Sequence, residues 1–285
     1  MLVVNHDYSA ETGMMLKVRS VRKKLQRRLL GDQGRIEEQA IGARLARNSP
    51  PKCLYSVVET QPIEVEVLFS QAGIATAILV TLGDIYILVD AGDGALRDLL
   101  GKGVPPQRLG AVLLTHGHSD HIAGLYALLG YLRGEAFRGV FNLVYPAGCC
   151  EVEAMLEAFF KCYAGTINFA INRFPMRNKS TLQLGPIHVQ AWQMLHWHSV
   201  AGNPISPAPA LGFRLSYQGQ TVALTGDTAF FPELTDFVKD VDIAVIEATL
   251  NEPVPGTSTY VHLTMQQAQR LAGLAKRGML IHRKS

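Results

Sequence analysis

Thr115-His116-Gly117-His118-Ser119-Asp120-His121 is the stretch on which the reading of this 285-residue chain turns. Three imidazoles and a carboxylate fall within six residues, directly behind the apolar run Gly110-Ala111-Val112-Leu113-Leu114. That run predicts a buried strand, and Ile122, Leu125, Tyr126 and Leu129 then recur at the spacing of one helical face. The histidines therefore belong to a strand-to-helix turn, held on both sides by regular structure. Neutral imidazole suits zinc, and a nearby carboxylate can ligate a second ion or orient a bound water, so one short loop can begin two adjacent metal sites. With only nine histidines in the chain, H-x-H-x-D-H is a poor candidate for chance clustering.

The pattern resembles the signature of the metallo-β-lactamase superfamily, and the resemblance runs from about residue 63 to the end. It implies an α/β (α+β) fold, a four-layer αβ/βα sandwich in which two sheets are flanked by helices and the metals lie at one edge. It also implies two zinc ions per chain, with manganese or iron replacing zinc in some relatives. By the same resemblance His116 and His118 bind one ion and Asp120 and His121 the other. Asp227, in Thr225-Gly226-Asp227-Thr228 behind the apolar Val222-Ala223-Leu224, takes the place of a bridging carboxylate. A further ligand is expected at a strand end near residues 187 to 198, where His196 and His198 compete. Both fall on one face of an extended strand, so alternation does not separate them. His198 is favoured, being nearer the strand end and followed by a loop, Ala201 to Ala210, that leads to the Gly-aromatic-Arg strand Gly212-Phe213-Arg214. His196 is then left behind the ligands or facing substrate. His282, after Met279-Leu280-Ile281, takes the place of the last metal histidine, and Asp90 that of an aspartate bracing the metal loop.

Ile246-Glu247-Ala248-Thr249 followed by Val261-His262-Leu263-Thr264 resembles the ribonuclease Z-like branch, where an acidic strand end precedes a histidine that opens a helix. Thr264 is an N-cap candidate, and Ala268, Leu271, Ala272 and Ala275 form the helix's apolar stripe. The resemblance implies that the metals lower the pKa of a water and that Asp120 or Asp227 orients it. His262 then protonates the leaving oxygen, with Glu247 raising its basicity. His118 stands where oxygen-reducing diiron relatives carry glutamate, which favours hydrolysis over redox chemistry. The implied activity is metal-dependent hydrolysis of a phosphodiester. The alternative with the same ligands is hydrolysis of carboxyl, lactone, thioester or sulfate esters.

The chain departs from the transfer-RNA-processing members in three places. No long Gly/Pro-rich arm is inserted between His121 and His198 or after Gly212, and their nucleotide-loop motif is absent around Ser70-Gln71-Ala72-Gly73. Arg283-Lys284-Ser285 does not supply the aromatic and arginine that usually follow the last histidine. A small cyclic nucleotide or oligonucleotide therefore fits better than transfer RNA, within a substrate class that includes RNA. Family habit also implies a homodimer.

Composition frames these expectations. Residues 1 to 60 carry 11 Lys plus Arg against 6 Asp plus Glu, and the remaining 225 carry 16 against 18. The chain divides accordingly into a basic, partly helical extension over 1–60 and a catalytic domain over 61–285, long enough for a substantial core. Val18, Val21, Leu25 and Leu29 recur at helical spacing among the cations of Lys17 to Arg28, and a second short helix is expected over Arg35 to Arg47. Such a segment suits nucleic acid, an anionic surface or a partner helix, and a solvated extension is the plainer reading. No apolar stretch has the length of a membrane span and no signal peptide opens the chain, which predicts a cytoplasmic protein, with organelle targeting by the basic segment left open. Cys53, Cys149, Cys150 and Cys162 show no C-x-x-C spacing and read as reduced, structural thiols.

Overall fold

The computed structural model describes residues 62–200, 203–252 and 261–284. The basic extension, its two expected helices and Cys53 lie outside them. The first half runs β1 (Ile63–Gln71), β2 (Ala75–Leu82), β3 (Ile85–Val89), α1 (Ala95–Gly101), β4 (Leu109–Leu113), α2 (Ser119–Gly134), β5 (Val140–Pro146), α3 (Cys150–Tyr163) and β6 (Ala170–Met176). Next come β7 (Thr181–Leu184), β8 (Ile187–Gln193), β9 (Trp197–Val200), β10 (Asn203–Pro207), β11 (Leu211–Tyr217) and β12 (Gln220–Leu224). The chain then continues through α4 (Leu234–Val238), β13 (Ile243–Glu247), α5 (Met265–Ala272) and β14 (Arg277–Ile281).

Two six-stranded sheets result, one in the order β1-β2-β3-β4-β5-β6 and the other β14-β13-β12-β11-β8-β7, with β9 and β10 forming a separate two-stranded ribbon. Strands β3 to β6 run parallel to one another, as do β12 to β14. Because successive side chains of a strand point to opposite faces, the central strands must be apolar on both. The sequence meets this requirement residue by residue. Ile78 and Val80 of β2, Ile87 and Val89 of β3, and Ala111 and Leu113 of β4 pack between the sheets against Val222, Leu224, Ile243 and Val245 of the second sheet. Their alternates Leu79, Leu88 and Val112 pack outward against Leu99 of α1, Leu125 and Leu128 of α2, and Leu156 and Phe159 of α3. On the far side Ala223, Ala244 and Ile246 meet Phe237 of α4 and Leu271 of α5. The layers are therefore helices, sheet, sheet, helices, which is the αβ/βα sandwich expected.

Local chemistry sets several boundaries. Thr264 caps α5 with a reciprocal box: its hydroxyl accepts from the Gln267 backbone N–H (3.2 Å) while the Gln267 side chain accepts from the Thr264 N–H (2.9 Å). β6 starts only at Ala170, because the Thr166 N–H and hydroxyl both donate to the Tyr163 carbonyl and extend the turn behind α3. The extended stretch leading to the strand end expected near residues 187 to 198 is broken twice. It turns between β7 and β8, and it leaves the sheet after Gln193, where the Met194 N–H is taken by the Ala210 carbonyl. The loop expected over Ala201 to Ala210 instead contains β10. Its Pro204 and Pro207 are tolerated because a two-stranded ribbon leaves half of its backbone donors unpaired. Among the described residues no helix is long and apolar enough to cross a membrane.

Candidate metal centre

The C-terminal ends of β4, β12, β13 and β14 deliver the candidate site at one edge of the sandwich. The metal loop follows β4, Asp227 follows β12, Glu247 closes β13 and His282 follows β14. Two contacts tie the sheets together there. The Leu211 N–H donates to the Thr115 carbonyl at 2.8 Å. Gly226, at φ +60, lies so close to the Thr115 side chain that a Cβ would sit 2.5 Å from it. Only glycine makes that turn without strain or collision, and it sets Asp227 beside the metal loop.

Around Asp227 the side chains fall into two clusters. In the first, His116 Nε2 lies 3.0 Å from His118 Nδ1, and His196 Nε2 lies 3.2 Å from the same atom. Asp227 Oδ2 is 4.0 Å from both His116 Nε2 and His196 Nε2. In the second, His121 Nε2 lies 3.4 Å from His282 Nε2, and Asp120 Oδ2 is 3.3 Å from the latter. Asp227 Oδ1 faces this group, 3.5 Å from His121 Nε2 and 3.4 Å from His282 Nδ1. One carboxylate thus offers one oxygen to each cluster.

The outer nitrogens are spoken for, which fixes the rings. His121 Nδ1 donates to Asp90 Oδ2 at 2.7 Å, and Asp90 also accepts from the Thr115 N–H at 2.7 Å, so it braces the loop as expected. His196 Nδ1 donates to the Val261 carbonyl at 2.9 Å. Each of these bonds turns Nε2 into its cluster and, in the neutral ring, selects the tautomer that leaves Nε2 free to ligate. Asp90 and His282 reach these positions with left-handed backbone, at φ 59 and 55, a conformation uncommon outside glycine and concentrated at functional sites.

The charge states follow. Burial, reinforced by the neighbouring imidazoles, holds His116 well below its ordinary pKa and lowers His118, and burial takes His196 to about 4. These three are neutral at physiological pH, the ligating form. Burial also opposes charge on His121, but Asp227 and Asp90 outweigh it and hold that imidazole well above the usual range. Burial likewise opposes ionisation of Asp227, yet His282 and His121 keep it well below the usual carboxylate range. Asp227 Oδ1 is nonetheless buried with no hydrogen-bond donor. An orphaned carboxylate oxygen between converging imidazole nitrogens is costly unless a cation lies among them. Among the described residues, four groups of three such residues have ligand atoms all within 4.8 Å of one another. The donor set, imidazole with carboxylate, fits divalent zinc, manganese or iron.

The geometry corrects one expectation. His196, not His198, completes the cluster of His116 and His118. The two histidines do not share a strand: the chain leaves the sheet before His196, which is 2 % exposed, and His198 belongs to the β9–β10 ribbon. The other expected ligands, His116, His118, Asp120, His121, Asp227 and His282, are brought together.

Beside the clusters lie Glu247 and His262, the two residues from which acid–base chemistry is expected. Glu247 is fully buried and its Oε1 accepts from His262 Nδ1 at 3.0 Å. The same carboxylate accepts from the backbone N–H groups of Thr228, Thr249 and Leu263 and from the Thr249 hydroxyl. Burial resists charge on His262, but Glu247 outweighs it and raises the imidazole to about 9. The ring lies 3.7 Å from Asp227 Oδ2. His118, Asp120, His196, Asp227, His262 and His282 line one cleft of about 320 Å³, with Lys284 at its rim. Sequence reasoning did not find Thr228 and Thr249 as the partners of Glu247, since neither carries a motif.

The sequence matches the beta-lactamase superfamily domain over residues 86–282. A ribonuclease Z of Bradyrhizobium sp. (strain ORS 278) is 28% identical over 244 residues, covering 72% of this chain and 81% of the relative. Among solved structures, the metallo-beta-lactamase fold protein YhfI from Bacillus subtilis superposes with a TM-score of 0.63 at 22% identity, over 78% of this chain and 86% of that one. The short form of human tRNase Z gives 0.64 at 20%, over 78% and 93%. The matched region takes in all the clustered histidines and aspartates, and the chain belongs to the metallo-β-lactamase-fold hydrolases of the beta-lactamase superfamily.

Proposed function

We propose that this chain is a metal-dependent phosphodiesterase working on a small phosphodiester, a cyclic nucleotide or an oligonucleotide. The observation that carries the reading is the His262–Glu247 pair, set at the edge of the ligand clusters and opening on their cleft. A thioester, which expels a thiolate, has no need of such a group, whereas a phosphodiester releases a poor alkoxide leaving group that must be protonated. The name ribonuclease Z, carried by the bradyrhizobial relative, supports the same substrate class.

In this reading His116, His118, His196 and Asp227 hold one ion, and Asp120, His121, Asp227 and His282 the other. Two zinc ions bound there would lower the pKa of a water toward neutrality and supply positive charge to the phosphate oxygens. Asp120, anchored by the Gly73 N–H at 2.9 Å, accepts a proton of the attacking water and aims it. Glu247 favours the protonated form of His262, whose Nε2 proton goes to the departing oxygen while Nδ1 stays bonded to Glu247. Lys284 at the rim supplies a cation to an anionic substrate. The catalytic unit is residues 61–285.

Turnover of bis(p-nitrophenyl) phosphate and of a diester with an alkyl leaving group, in the parent and in His262→Ala, tests this. Loss of about 10²- to 10⁴-fold on the alkyl diester, with metal content unchanged, is expected. Turnover of carboxyl esters or lactones alone, or an unchanged alkyl-diester rate in His262→Ala, would reject the reading.

A further inference from the structure

His198, displaced from the ligand cluster, touches it from behind. His118 turns Nδ1 toward His116 and His196, so in the ligating tautomer its proton is on Nε2. That Nε2 lies 3.2 Å from His198 Nδ1. With Nδ1 accepting, the proton of His198 is on Nε2, which lies 3.6 Å from Glu151 Oε1. The directions agree along the whole chain: His118 donates to His198, and His198 points its remaining N–H at a carboxylate.

The loop is shaped for that carboxylate. Glu151 is in the first turn of α3, and its Oε2 accepts from the Cys149 thiol at 3.3 Å. It lies directly over Gly117, the residue between the two histidines: a Cβ at Gly117 would come 2.5 Å from Glu151 Oε2 and 2.7 Å from Cys149 Sγ. The glycine of H-x-H is thus the space that admits Glu151 to the back of the metal loop. The same logic operates at His121, whose outer nitrogen is held by Asp90.

We propose that Glu151 and His198 form a positioning relay for His118, fixing its tautomer and ring orientation and strengthening Nδ1 as a donor to the ion held with His116 and His196. The proposal rests on the metal reading above. Hydrogen-bonded partners behind a metal ligand typically contribute about 10- to 100-fold in metal affinity or activity. The relay extends the ligand set outward through the β9–β10 ribbon, so an element outside both sheets would tune the metal.

Two variants at one position separate hydrogen bonding from packing. His198→Asn keeps an acceptor near the Nδ1 position but loses volume, whereas His198→Phe keeps the ring and loses the acceptor. The half-exposed setting of His198 lets both fold. Zinc retention against a graded chelator, and the visible spectrum of the cobalt-substituted protein, are measured for the parent, both variants and Glu151→Gln. Retention in His198→Phe about tenfold weaker at one of the two ions, His198→Asn near the parent, and a shifted cobalt band in Phe but not in Asn are expected. His198→Phe holding metal as well as the parent would mean that the ring's packing suffices without an acceptor and would overturn the relay. Complete loss of one ion in both variants would make His198 a ligand and would overturn it too. A parent that binds no metal would instead remove the reading on which the relay stands.

Discussion

Glu247→Gln is the most informative single change at this site, because its cost can be worked from the hydrogen bonds. Oε1 accepts from Thr228 N (3.0 Å), Leu263 N (3.1 Å) and His262 Nδ1 (3.0 Å), and Oε2 from Thr249 N (3.0 Å) and Thr249 Oγ1 (2.7 Å). A glutamine must turn its NH₂ toward one of these two sets. Against the first it would face three donors, so it takes the second. There the Thr249 hydroxyl can rotate to accept, but the Thr249 backbone N–H cannot. One buried N–H left without a partner costs about 1–3 kcal/mol. For a domain of this size about 2 kcal/mol lowers the melting temperature by about 4–8 °C. His262 Nδ1 keeps an acceptor and loses its counter-charge, so diester turnover should fall between the parent and His262→Ala. Calorimetric melting of the purified variant, alongside turnover, checks both. A melting temperature within about 1 °C of the parent would refute the accounting of donors around Glu247.

Gly117→Ala should place its methyl group against Glu151 and Cys149, tilt the metal loop and weaken zinc retention in a chelator competition, while a surface substitution such as Gly130→Ala should not. Burial, helped by the Glu151 carboxylate, pushes the Cys149 thiol up to about 12, so it stays protonated in mildly alkaline solution. Iodoacetamide at pH near 9 should therefore alkylate the exposed Cys150 and Cys162 and spare Cys149 until the protein is unfolded, as read by peptide mass spectrometry. Gly226→Ala combines a left-handed backbone with collision against Thr115. It should destabilise the fold by about 1–3 kcal/mol, measured by urea unfolding, and release metal with the displaced Asp227.

The layers of this fold were legible through the resemblance to the superfamily, and the apolar runs of its strands agree with sheets buried on both faces. Behind the apolar run Gly110 to Leu114 the switch to helical spacing at Ile122 is abrupt, which placed the metal loop at a strand-to-helix turn. The candidate ligands were legible through the same resemblance, helped by their place at strand ends, where a short polar cluster directly follows an apolar run. His116, His118, Asp120, His121, Asp227 and His282 all have that signature. The choice between His196 and His198 was not legible. It depends on where the chain leaves the second sheet, which is decided by the distant Ala210 and Thr228 taking the backbone donors of Met194 and Leu195. Glu151 was invisible for the same reason. It lies 33 residues beyond Gly117–His118, at the start of a helix whose acidic first turn reads as ordinary dipole complementarity, and only the packing of α3 brings it behind the metal loop.

The claim on which everything else depends is that Asp227 joins two ion sites. Elemental analysis of the purified chain after zinc reconstitution and gel filtration, in the parent and in Asp227→Ala, tests it most directly. About two zinc ions per chain in the parent, and at most one in a variant that keeps its circular dichroism spectrum, are expected. A parent that holds no zinc, or an Asp227→Ala chain that still holds two, would contradict it.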